Sequence, residues 1–244
     1  MKKYISVFSL IAKNSIYQIA GLLLLLVAVD SALAWYYLFV RSYGLNTFFQ
    51  NGTGRIGMVL AVIFVLIAVV QVRRGDIYSG PQGYTMRRLV ISEKAVAVLQ
   101  ILYNILCWLI LWGVQVLTVF VICKICYTFG ADAGDPLVNQ QIFLLFYISP
   151  LLHSLLPMEE ALAWVANVVM VVELSVASAH WAVLRREKKS GVHLWGGYWP
   201  VILLFRRELG SFVWNMLIIV AFLIMLGIEC YRMFFAKQGG GDRA

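Results

Sequence analysis

The chain has 244 residues, of which 62% are hydrophobic and only 13% charged, where a soluble domain of ordinary composition carries about a quarter of its residues charged. Several apolar stretches approach or exceed the roughly 20 residues that a helix needs to cross a bilayer, and no polar stretch is long enough to bury a core of its own, which excludes a large aqueous domain and any chemistry built on one. The net charge of +8 would suit nucleic acid in a soluble protein; here it reports orientation, through the Lys and Arg left on the cytoplasmic side, and no nucleic-acid partner is expected.

In chain order, "MKKYISVFSLIAKNSIYQ" sets Tyr4, Ile5, Phe8, Ile11, Ala12 and Ile16 at helical spacing, with Lys2, Ser6, Ser9 and Lys13 opposite them. That pattern predicts an amphipathic interface helix over residues 1–16. A first span follows over 17–40, with Trp35, Tyr36 and Tyr37 as an interfacial belt. The second span, 56–72, is almost purely aliphatic and stops at Arg73 and Arg74. The third, 95–129, is longer than a crossing requires, so it is tilted or projects from the membrane. The run 142–157 is short and holds Pro150 at its centre. The fourth span is 158–184, closed by "RREKK"; 191–205 is short and carries Gly196, Gly197 and Pro200; the last is 212–235.

Charge decides how these are counted. If both 142–157 and 158–184 crossed, Arg185 to Lys189 would fall outside, against the positive-inside rule. The Pro150 segment is therefore an outer re-entrant or surface helix, and 191–205 is the fifth of six spans. Most of the 20 Lys and Arg then lie inside, and both termini are cytoplasmic. The fold class is all-α: a polytopic membrane protein in one domain of six spanning helices preceded by the interface helix. The plasma membrane, and so the lipid bilayer itself, is its expected place.

The loop 73–94 then lies in the cytoplasm. "SGPQG" is a turn by its Gly and Pro content, and "YTMRRLVISEKA" sets Tyr84, Arg87, Arg88 and Ile91 at spacings of three and four. A docking helix is one reading, and a connector whose Arg residues touch anionic lipid is the other. The N-terminal amphipathic helix, the six predicted spans and the basic loop "GYTMRRLVISEKAV" together resemble the permease subunits of type-2 ABC transporters, especially small ones of Gram-positive bacteria. The likeness covers most of the chain in layout, but in residues only this loop and its neighbours. It implies a coupling helix formed by Tyr84, Thr85, Arg87, Arg88 and Leu89, and an interface role for Lys2 to Asn14. It also implies an ATP-binding cassette subunit as partner, together with a second permease copy or a sister permease. No GxxxxGK[ST] phosphate loop occurs in the chain, so ATP hydrolysis is expected in that separate subunit. The substrate is not legible; the many aromatic and aliphatic side chains would suit an amphipathic one, a lipid or a peptide.

Asp30 and Glu173 fall near the centres of predicted spans, where ionisable groups are costly. They are candidates for a translocation path, or else hydrogen-bonded packing sites. Glu229 sits in the last span, with Arg232 close behind it. "HSLLPMEEALAW" places Glu159 and Glu160 near His153, and intramembrane proteases of the CAAX-processing type use a Glu-Glu-x-x-x-Arg motif. Here Trp164 occupies the Arg position, and an acidic helix start is the plainer account. "CKIC", Cys123 to Cys126, has the spacing of a metal or redox pair, but no second pair completes a tetrahedral site. No catalytic residue, metal or cofactor is expected.

Overall fold

The computed structural model describes residues 2–41, 48, 53–75, 84, 91–129, 138–158, 160–186 and 212–235. Among these there are helices and no strand: α1 (Lys2–Trp35) continued by a π-helical turn (Tyr36–Val40), α2 (Thr53–Arg74), α3 (Glu93–Phe129), α4 (Val138–Ile148), α5 (Pro150–Leu155), α6 (Ala161–Arg186) and α7 (Phe212–Phe234). Five of them, α1, α2, α3, α6 and α7, are long and apolar enough to cross a membrane.

The expected break near residue 16 is absent, because α1 runs on as a single helix. Nothing between Asn14 and Gly21 stops it: there is no proline and no cap. Its buried stripe also differs from the expected one. Val7, Ile11, Ser15 and Ile19, each four residues apart, are buried, whereas Ile5 is 68% exposed and Tyr4, Ile16 and Tyr17 also face outward. The stripe packs on α3, where Val96, Tyr103 and Cys107 receive it and Phe8 meets Tyr103 edge to ring at 6.1 Å. A protein partner for the apolar face replaces the lipid one that the pattern alone suggested.

Polar contacts fix the direction of each helix. Ser15 and Tyr103 share a hydrogen bond at 2.8 Å and Gln115 binds Asp30, so α1 and α3 run parallel. Gln71 reaches Asn104 while Phe64 stacks on Trp108, which makes α2 antiparallel to α3. Asn104 reaches Ser175 and Trp112 meets Trp164, so α6 is also antiparallel to α3. Glu160 pairs with Asn215 and His180 with Glu229; α6 and α7 therefore run parallel. Lys3, Lys13, Arg73, Arg74, Lys94 and Arg232 all come to one end of the bundle and are exposed there.

At the opposite end, α4 and α5 fill the space between the end of α3 and the start of α6. Ser149 adopts an extended conformation before Pro150, as the residue before proline prefers, and this separates the two short helices. Phe146 stacks on Phe120 at 4.7 Å, and the Trp112 indole donates to the Leu155 carbonyl at 2.7 Å. The segment 138–158 thus starts and finishes at the same end of the bundle. The predicted span 191–205 lies outside the described residues.

Candidate functional site

The interior holds an unusual amount of polarity for a bundle so apolar outside. Asp30, on the last full turns of α1, is 1% exposed. Its Oδ2 accepts a hydrogen bond from Gln115 Nε2 at 2.9 Å, while Asp30 Oδ1 and Gln115 Oε1 find no partner. An intramembrane acid pays a desolvation cost that a donor offsets only in part, so this is one strong clip between α1 and α3 with acceptor capacity to spare.

Glu173 sits at the midpoint of α6 and is also 1% exposed. Every residue from Glu173 to Ala182 is buried, because α6 is the central helix, touched by α2, α3 and α7. Neither carboxyl oxygen of Glu173 has a hydrogen-bond partner. His180 lies two turns further along the same face and pairs with Glu229 of α7. Asp30 is bound in the α1–α3 interface, and Glu173 lies on α6, two turns from the His180–Glu229 pair.

The interior also holds an amide network that the apolar character of the helices had hidden. Gln100 Nε2 donates to Asn104 Oδ1 at 3.1 Å, Asn104 Nδ2 to the Ser175 carbonyl at 3.2 Å, and Gln71 Nε2 to the Asn104 carbonyl at 3.4 Å. All of these side chains are buried. The network ties α2, α3 and α6 together near the basic end. A signal for it exists in the sequence: Gln100, Asn104 and Gln115 interrupt the apolar run of α3 at spacings of four and eleven, which is one helical stripe.

Of the expected coupling residues, Tyr84 is described and 69% exposed; Thr85, Arg87, Arg88 and Leu89 lie outside the described residues. The flanks of that loop, Gly75 and Ile91, emerge at the basic end. Gly75 is pressed against α6: a Cβ there would stand 2.5 Å from the Gln71 carbonyl oxygen and 2.8 Å from the Ala182 methyl carbon.

A hydrolytic centre is not assembled among the described residues. Glu159 lies outside them. Glu160 accepts from Asn215 Nδ2 at 3.1 Å. His153 is buried against the Tyr147 ring with both ring nitrogens unbonded, and His180 is engaged by Glu229 at the other end of α6. Cys123 and Cys126 are buried and form no disulfide, and no group of three metal-ligating side chains occurs among the described residues. No protein-family model matches the chain, and no significant similarity links it to a curated protein or to a solved structure.

Proposed function

We propose that the chain is the membrane-spanning permease subunit of an ATP-driven ABC transporter that moves an amphipathic substrate, a lipid or a peptide. The observation that carries the reading is where the loop 73–94 emerges: its described flanks, Gly75 and Ile91, stand at the same end as the exposed basic residues, and Tyr84 within it is exposed. By the positive-inside rule that end is cytoplasmic, where a soluble ATP-binding subunit could grip Tyr84, Thr85, Arg87, Arg88 and Leu89. A second permease copy, or a sister permease, would complete the transporter. Coupling is mechanical: closure of the ATPase pushes on the loop, and the amide network that ties α2 and α3 to α6 passes the movement into the bundle.

Six crossings fit the observed directions better than five. Because α6 and α7 run parallel, the end of one and the start of the other lie at opposite ends of the bundle. That separation supports 191–205 as the fifth span, and both termini would then be cytoplasmic.

Purification of the membrane complex through a tag on this chain tests the function. An ATP-binding subunit co-purifies in fixed stoichiometry, and Arg87→Glu combined with Arg88→Glu removes it. A chain that purifies alone, without ATPase activity, overturns the proposal.

A further inference from the structure

Asp30 and Gln115 meet across α1 and α3 with more capacity than one bond uses. Gln115 Nε2 donates to Asp30 Oδ2 at 2.9 Å. Asp30 Oδ1 and Gln115 Oε1 are both shut off from solvent and both unpartnered, on side chains that are 1% and 0% exposed. An ionised carboxylate only accepts, and so does an amide oxygen, so with Asp30 charged the two leftover atoms have nothing to offer each other. Turning the amide over does not help, because it would set the Gln115 oxygen against Asp30 Oδ2, acceptor to acceptor. What the pair lacks is one donor hydrogen.

Neighbouring side chains bring no counter-charge to this level. Among the described residues, the charged side chains of α2 are Arg55, Arg73 and Arg74, close to its two ends, and Arg55 lies over the Tyr37 ring at 4.4 Å. Those of α3 are Glu93 and Lys94 at its start and Lys124 nine residues past Gln115; the Cys107 and Cys123 thiols stand eight residues to either side of it. Beyond α1, Arg41 is bonded to the Tyr36 hydroxyl. Glu173 of α6 lies nearer the basic end than Gln115, by the contact of Asn104 with Ser175. A carboxylate at Asp30 would thus be a lone charge inside an apolar bundle, which is costly. A neutral carboxyl avoids that charge and also supplies the missing hydrogen.

We infer that Asp30 is a proton-binding site: its carboxyl is neutral in this arrangement, with the proton on Oδ1 donated to Gln115 Oε1 while Oδ2 accepts from Gln115 Nε2. A carboxylic acid and a primary amide each present one donor and one acceptor, so two hydrogen bonds join them where an ionised acid allows one. The proton is taken from water and returned to it, with no other bond made or broken. Uptake adds a link between α1 and α3, and release removes that link and leaves a buried charge. The site therefore couples proton binding to the tightness of the joint between the two longest helices. The inference does not rest on the transport reading, since it requires neither an ATPase nor a second permease.

The test takes infrared difference spectra of the full chain in nanodiscs at pH 7, wild type minus Asp30→Asn. A carbonyl band of a protonated carboxyl group is expected, and Gln115→Leu should shift that band, because the amide no longer bonds it. Thermal melts give a second readout in a variant that keeps the shape of the site. Asp30→Asn carries its donor permanently and should retain the melting temperature. The wild type holds, when folded, a proton that an unfolded aspartate has given up, so its melting temperature should fall relative to that of Asp30→Asn as the pH rises from 5 to 8. Carboxylate bands alone at pH 7, or the same pH dependence in both proteins, would overturn the assignment.

Discussion

The two buried acids differ in a way that assigns them different tasks. Asp30 holds one good hydrogen bond, so removing its donor leaves a carboxyl stranded in the interior, at a cost of about 1–3 kcal/mol. Gln115→Leu is therefore expected to lower the melting temperature clearly. Combining it with Asp30→Leu should recover much of the loss, because no polar group is then left behind. Glu173 has no hydrogen bond to lose. Glu173→Met fills nearly the same volume without a buried charge, and the melting temperature should hold or rise. If Glu173 serves transport, substrate-stimulated ATPase activity of the assembled complex falls in that same variant, which separates function from folding. The presence of both acids was legible, since an acid in an apolar run announces itself. Their partners were not, because Gln115 is 85 residues from Asp30, and nothing local indicates which residue will face which across two helices.

At the level of the helices, the tightest constraint is the end of α2. Gly75 admits no side chain, since the carbonyl oxygen of Gln71 and the methyl carbon of Ala182 already occupy the space. Gly75→Ala should push α2 from α6 and cost about 1–3 kcal/mol, as overpacking does. Gly21→Ala and Gly113→Ala, with nothing within 4 Å of the new methyl group, should be neutral or should gain up to about 1 kcal/mol from helix propensity. Thermal melts of the three variants in one detergent make the comparison. The contrast also shows what a sequence conceals: neither the apolar runs around Gly21 and Gly113 nor the Arg73–Arg74 pair before Gly75 says which glycine a neighbouring helix will press on. Element boundaries fared better. The expected ends of α2, α6 and α7 fall within a few residues of those observed, because Arg pairs, loop residues and apolar runs mark them. The interface helix did not survive as a separate element. Amphipathicity shows that one side of residues 2–16 seeks an apolar partner, and leaves open whether lipid or α3 supplies it.

At the scale of the whole molecule, α1 and α3 outreach a bilayer. Their 34 and 37 residues span about 51 and 55 Å, against roughly 30 Å of hydrocarbon. They are joined both at Ser15–Tyr103 and at Asp30–Gln115, so they move as one strut from the basic end to the far end. A reporter fused after Ala244 should be cytoplasmic, as should a cysteine reporter at Lys3; an extracellular tail would mean five crossings and a wrong path between α6 and α7. The parallel course of those two helices also bears on how the protein is made. Helices enter the membrane in the order of synthesis, and α7 is the last of those described. Until it arrives, α6 carries His180 without Glu229 beside it. Because α6 and α7 run parallel, no simple hairpin can bring α7 into place. The final step of biogenesis is thus the covering of a polar helix face by its own C-terminal neighbour. A chain that stops before Phe212 should be inserted and then rapidly degraded in a pulse-chase experiment, having every earlier helix but no cover for the one at its centre.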